Sequence, residues 1–472
     1  MTDSPVPPDL DPVRGHSDDP LSADRRVLVI GAVSMVVLML VGAVTAAFFT
    51  RSACGRIGPD PVLPRAAGED VDRVLAEALP DLFDDERLAL TEYLRGPLAD
   101  RLGPLAGALD VSGAEGLSPA GGPGSGLVAA TGATTTVFGV PAADVRATAD
   151  VGDGTVVGDG ATLYSLALTN PGTGQTDAVM PLDVRLEGGD CFDTATVATP
   201  FAFLLAAGEG QLLLFRVEED GDVPTVELRD AQQGQVWIAD LDTPAIPPGV
   251  SGARLDGAMG LDLVVVGRRA TLDDTAPILS AFTRDGGQLR WSVELDAVAE
   301  VAPDGDTPVW AEVVAVGGDT VLVSLSRDDD RGRSTLVAMD AADGAMRWAT
   351  DVHGSVPVAA HVDADAVTVL LDRGDHIDVV IREADDGSDR GSAGQPDPDG
   401  SGFDGRGAVV PGGEEVLATV GRGLVVAGAD ELTLLAHDVE PALLVDAVVV
   451  DGATVLLVAS GDGAAAVVFA AP

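Results

Sequence analysis

Asp397, Asp399, Ser401 and Asp404 place side-chain oxygens at near-alternate positions, with Gly402 sixth, as in a Ca²⁺-binding loop. The twelfth position of such a loop supplies a bidentate Glu, and here it is Ala408. Gly and Pro fill the surrounding stretch, 385–413, which also reads as an exposed acidic insertion. The loop is a weak Ca²⁺ candidate, and no other metal or cofactor is expected. Four of the five His (His353, His361, His376 and His437) lie in the C-terminal region. They lack the HExxH spacing, and no nucleophile sits in a Gly-x-Ser-x-Gly elbow. Each reads as a strand-end or surface residue. The many Asp pairs fall in turn-like stretches, where a short carboxylate hydrogen-bonds nearby backbone. No catalytic residue stands out.

Cys54 and Cys191 are the two cysteines, and they are widely separated in sequence, so there is no disulfide framework and no Cys-rich metal module. Three states stay open: free or buried thiols, a Cys54–Cys54 bond that makes a homodimer, and an intramolecular Cys54–Cys191 bond.

The elements that would position any site must be read from 472 residues with 76 acidic and 28 basic side chains, a net charge of −48. Every basic residue is Arg, and Asp outnumbers Glu 58 to 18. This balance excludes a nucleic-acid binder, which needs a basic face to displace phosphate counterions. It also opposes docking of the folded part onto an anionic membrane. Codon bias in a GC-rich genome and adaptation to salt compete as its cause, with codon bias preferred as the main one. Hydrophobic residues are 46% and aromatics 4%, so the core is expected from Val, Leu and Ala.

Residues 1–26 are Pro- and Asp-rich and read as a disordered cytoplasmic tail. Val27–Phe49 is a long run without a charge, about 35 Å of helix and sufficient to cross a bilayer. Arg14, Arg25 and Arg26 precede it, and Arg51, Arg56 and Arg65 follow it closely, so number does not orient it. The adjacent Arg25–Arg26 places the N-terminus inside and the following chain outside. A cleaved twin-arginine export signal and a lipoprotein at Cys54 remain alternatives. Residues 50–111 read as a helical juxtamembrane stalk, on the spacing of Val71, Val74, Leu75, Ala78 and Leu79 and of Leu88, Leu90, Tyr93, Leu94 and Leu98. Pro80 interrupts, Asp84 or Asp85 is the expected N-cap, and Gly96-Pro97 the expected break. The stalk serves either as a spacer or as a partner-binding helix pair. Residues 112–126 read as a Gly/Pro-rich linker.

From 127 to 472 short apolar runs recur between Asp and Gly at close, regular intervals, an all-β signature. Three segments align. They run from Leu228 through Gly234 and Trp237, from Ala281 through Gly286 and Trp291, and from Ala338 through Gly344 and Trp348. The Trp residues thus recur at nearly equal intervals, the mark of an internal repeat. Weaker copies start near Leu163, Val379 and Leu432. Gly would permit a tight turn, and Trp would bury a large face between neighbours. Trp310 falls outside the repeat. Such units must stack and close, giving six to eight four-stranded blades.

This pattern resembles the PQQ-like β-propeller repeat, the quinoprotein dehydrogenase-like propellers, over roughly 160–440. WD40 is the nearest rival, but residues 127–472 hold neither the Gly-His nor the Trp-Asp dipeptide that it needs. The resemblance implies a propeller, and in the family's enzymes a pyrroloquinoline quinone held by cations, Ca²⁺ and adjacent Cys. This chain has no adjacent Cys and no Lys. It is therefore expected to be a non-catalytic, extracytoplasmic scaffold on a single-pass anchor, binding a protein or a cell-envelope polymer. A quinoprotein-type or other enzyme with an acidic central pocket is the alternative.

Overall fold

The computed structural model describes residues 71–472 except 120–125, 133–134, 150–154, 159–161, 169–178, 186–190, 195–201, 209–210, 217–224, 231–233, 242–254, 269–276, 296–308, 328–333, 353, 375, 397–406 and 429–430. The Val27–Phe49 run and Cys54 lie outside these residues. No helix among the described residues is long and apolar enough to cross a membrane.

The described strands form eight four-stranded antiparallel sheets. In chain order, blades 1 to 7 occupy residues 114–149, 155–194, 202–240, 255–294, 309–351, 356–396 and 409–436. Their strands pair in sequence order, each with the next. Blade 8 takes three strands from 443–469, and its outer strand is Leu105–Asp110. The inner strand of each blade neighbours the inner strand of the next, and that of blade 8 neighbours that of blade 1. The described residues thus form an eight-bladed β-propeller, at the upper end of the expected range.

Where side-chain burial is described, second and third strands are largely buried between neighbouring blades. This is why they read as continuous apolar runs rather than as an alternation. Ser334–Asp340 is buried from end to end except for its last residue. In blade 8, Gly463–Phe469 is buried throughout. Val, Leu and Ala fill these layers, as the composition requires.

Ring closure corrects the reading of 50–126. Helix ends at Leu102, and Leu105–Asp110 and Ala114–Pro119 are strands of blades 8 and 1. Leu105–Asp110 pairs antiparallel with the C-terminal strand, Ala108 opposite Val467. Its partner is the last strand of the chain, so no local pattern announces it. Pairing removes the open edge that a separate linker would leave.

The α-helices among the described residues are α1 (Val71–Ala78), α2 (Asp84–Tyr93) and α3 (Ala99–Leu102). They are not a spacer. Val71, Leu75, Leu90 and Leu94 join one core with Leu424 and Leu444 of blades 7 and 8 and with Phe469. Pro80 falls in the break between α1 and α2, as expected. The N-cap of α2 is Phe83, just before the expected Asp84, and Glu86 accepts its amide N–H at 2.7 Å. Asp84 and Asp85 occupy the first turn, where the helix dipole favours negative charge. Gly96-Pro97 does not end the helix. A π-helical turn, Leu94–Leu98, absorbs the proline and leads into α3.

Candidate functional site

Trp237, Trp291 and Trp348 lie on the outer strands of blades 3, 4 and 5 and are all at least nine-tenths buried. Each stands opposite a third-strand residue just before a β-bulge: Leu228, Ala281 and Ala338. Each indole N–H crosses to the next blade. Trp237 donates to the Arg284 carbonyl at 2.7 Å, Trp291 to Ala341 at 3.0 Å and Trp348 to Ala384 at 2.9 Å. Shortly beyond each acceptor is a glycine with positive φ: Gly287, Gly344 and Gly387. A Cβ on these would come within 2.5, 2.8 and 2.7 Å of the Trp ring. The ring thus lies flat on the turn of the following blade, and only glycine admits it there.

The three Trp thus pack between neighbouring blades, and the glycine beneath the ring differs from the expected one at one position. Gly286 meets no ring; its nearest neighbour would be Thr283 at 3.6 Å, and the contact falls to Gly287. Gly344 was identified correctly. Gly234 begins an outer strand opposite Asp230. In blade 6 the Trp position is Gly391, opposite Ile381, and Leu432 of blade 7 approaches it. Of the weaker copies, the one at Val379 is a third strand in register. Leu163 lies on a second strand and Leu432 on an outer one.

The residue before each later Trp position is Arg. Arg347 grips both oxygens of Asp319 at 2.8 and 3.0 Å and reaches Asp340 at 2.8 Å. Its guanidinium holds both carboxyls below the usual carboxylate range. Arg390 makes the matching contact to Glu383 at 2.6 Å. These pairs tie the turns of one blade face together.

Two inner-strand carboxylates bridge blades. Asp446 of blade 8 accepts the Leu117 amide of blade 1 at 2.6 Å, and Asp256 of blade 4 accepts the Val313 amide of blade 5. Burial pushes the Asp446 carboxyl up to about 6 against two backbone N–H bonds that pull it down. It raises Asp256 too. Nothing in the local sequence marks these positions, because the acceptor's partner belongs to a different blade.

The residues expected to bind Ca²⁺, Asp397, Asp399, Ser401 and Asp404, lie outside the described residues, as does His353. Cys191 begins the outer strand of blade 2. His361 sits on the inner strand of blade 6, and burial lowers its pKa. His376 opens the third strand of that blade. Among the described residues no three His, Cys, Asp or Glu converge as metal ligands.

A groove of about 700 Å³ lies where α2 faces 436–440, the connection from blade 7 to blade 8. Asp85, Ala89 and Glu92 come from one face of α2, at i, i+4 and i+7. Glu86 lies beside them, and Asp438 and Glu440 face them from the connection. Tyr93 and His437 line it as well. The Tyr93 hydroxyl donates to the Leu435 carbonyl at 2.8 Å, and its ring meets the His437 ring edge-on at 4.9 Å. His437 is 8% exposed. Burial, aided by Arg422, lowers its pKa to about 4, so the ring is neutral at neutral pH. Nδ1 accepts the Val439 amide at 3.2 Å, which leaves the proton on Nε2. Nε2 is buried and has no partner among the described residues. The sequence reading named Tyr93 as a helix-core residue and His437 as a strand-end residue, and did not bring them together.

No protein-family model matches this chain, and no curated protein matches it. Solved structures share its shape at low identity. The computationally designed Ika8 protein is 15% identical, covering 76% of this chain and 96% of its own, with a TM-score of 0.49. BamB from Moraxella catarrhalis is 13% identical, covering 77% and 99%, with a TM-score of 0.45. The Dos1 propeller is 10% identical, covering 77% and 94%, with a TM-score of 0.47.

Proposed function

We propose that this chain is a non-catalytic propeller of the PQQ-like type, tethered by Val27–Phe49 and facing out of the cell. It serves as a scaffold that binds a protein or an envelope polymer. The observation that supports binding most directly is the groove between α2 and the blade 7–8 connection. It is open, carries five carboxylates, and is held on rigid elements on both sides. Propellers hold their connections on a stiff ring, which suits recognition. The separation of the two Cys removes the adjacent pair that the family's quinoprotein enzymes use. The uncharged run from Val27 to Phe49 and the Arg25–Arg26 pair support the tether and its orientation.

Protease added to intact cells tests the address. The propeller should be degraded and the N-terminal tail spared. A propeller that is cut only after the cells are lysed would place it inside and remove the envelope reading.

A further inference from the structure

The groove's polar groups do not suit a compact ion. Its carboxylates are Asp85, Glu86, Glu92, Asp438 and Glu440, and among the described residues no cationic side chain lines it. They are spread along a helix face and a connection and do not converge as metal ligands. Dispersed negative charge around a concavity of about 700 Å³ fits an extended ligand with several separated positive charges. His437 adds a second demand of opposite sign. With Nδ1 occupied by the Val439 amide, the neutral ring offers only a donor, Nε2–H, and that donor is buried and unpartnered among the described residues. A buried donor left unpaired is unfavourable, so a carbonyl brought into the groove would relieve it. A polyamine carries the charges and lacks the carbonyl. A peptide bearing Arg or Lys carries both.

We propose that this groove binds a basic peptide segment of a partner protein, its guanidinium or ammonium groups on the carboxylates and a backbone carbonyl on His437. This deepens the scaffold reading and rests on it.

The test uses the full-length chain in detergent micelles at about 0.15 M salt, titrated by calorimetry with an alternating Arg–Ala decapeptide and, separately, with spermine. The triple variant Glu92→Gln, Asp438→Asn, Glu440→Gln leaves the Glu86 cap intact and should weaken the peptide about tenfold or more, the sum of three solvent-exposed ion pairs. A control triple on blade 4, Asp262→Asn, Asp285→Asn, Glu294→Gln, removes the same charge elsewhere and should change affinity less than about twofold. His437→Asn retains an acceptor for the Val439 amide and removes the Nε2–H, so it should weaken the peptide and leave spermine unchanged. Thermal melts confirm that each variant folds. Equal losses in both triples would mean that the diffuse charge of the chain binds the peptide, and would overturn the site. Spermine binding as tight as the peptide's, and equally reduced by His437→Asn, would overturn the peptide assignment. No peptide binding in a protein that faces outward would overturn this inference and leave the scaffold reading standing.

Discussion

Replacing Asp446 by Asn should change the pH dependence of stability in a calculable way. The Asp446 carboxyl sits at the seam where blade 8 meets blade 1, and burial raises it from 3.8 to about 6. A folded-state value above the unfolded one means that the proton is bound more tightly in the native protein. The resulting stability is fully present below about pH 4 and is lost as pH rises through about 6. Roughly two pKa units at about 1.36 kcal/mol each make the swing about 3 kcal/mol. Asn cannot ionise, so its curve lacks this swing. The amide oxygen can still accept the Leu117 N–H, but the NH₂ then faces the Ala447 N–H, which Oδ1 of Asp446 accepts at 2.7 Å. That mismatch costs about 1 kcal/mol at every pH. The variant should therefore be slightly less stable than wild type at pH 4 and about 2 kcal/mol more stable at pH 8. Urea unfolding followed by Trp fluorescence at half-unit pH steps measures the difference. Subtracting the two curves cancels the general repulsion of the acidic surface and the contribution of Asp256, whose carboxyl burial also raises. A difference that stays flat within about 0.5 kcal/mol from pH 4 to pH 8 would refute the buried bridge.

Trp348→Ala should cost about 3–5 kcal/mol, as other large core truncations do, read from urea midpoints. Gly344→Ala forces a Cβ to 2.8 Å from the Trp291 ring at a φ of 74° and should cost about 2 kcal/mol or more. Gly286→Ala, whose Cβ would make only ordinary van der Waals contact, should stay within about 0.5 kcal/mol; equal effects at the two glycines would break the docking assignment. Deleting residues 1–111 removes the helices and the outer strand of blade 8, and the product should be aggregated or protease-sensitive under conditions where the full chain is resistant.

How much of this was legible follows the range of the interaction. The all-β texture, the break at Pro80 and the burial of three Trp residues were legible, because apolar runs, proline and bulky aromatics act on their own neighbourhoods. The closing strand was not. Leu105–Asp110 holds too few β-branched residues to read as a strand, and its partner is Gly463–Phe469 at the far end of the chain. Gly286 was chosen over Gly287 because adjacent glycines look alike in sequence. Counting back the same distance from Trp291 and from Trp348 would have found Gly287 and Gly344 together. The groove was hidden for a different reason: Tyr93 belongs to a helix ahead of the first blade and His437 follows the seventh, and only the docking of α2 on blade 7 brings the rings to 4.9 Å.

The excess of Asp over Glu has a structural cause beyond codon bias and salt. Asp110, Asp340, Asp343, Asp363, Asp372, Asp386 and Asp389 each accept the backbone N–H of the next residue but one, at 2.7 to 3.1 Å. Only the shorter side chain makes this ring comfortably, so Glu does not substitute. An eight-bladed ring needs a turn at every strand end, and each turn leaves amide groups that no neighbouring strand pairs. Asp satisfies them and brings a negative charge with it. Part of the acidity is thus a by-product of closing hairpins, seen here chiefly in blades 5 and 6. Against that background the groove differs in kind. Asp85, Glu92, Asp438 and Glu440 are not among the carboxylates that hold turn amides in this way, and they face one another across a concavity. Charge that caps no turn and shares one hollow is what the proposed basic peptide would meet.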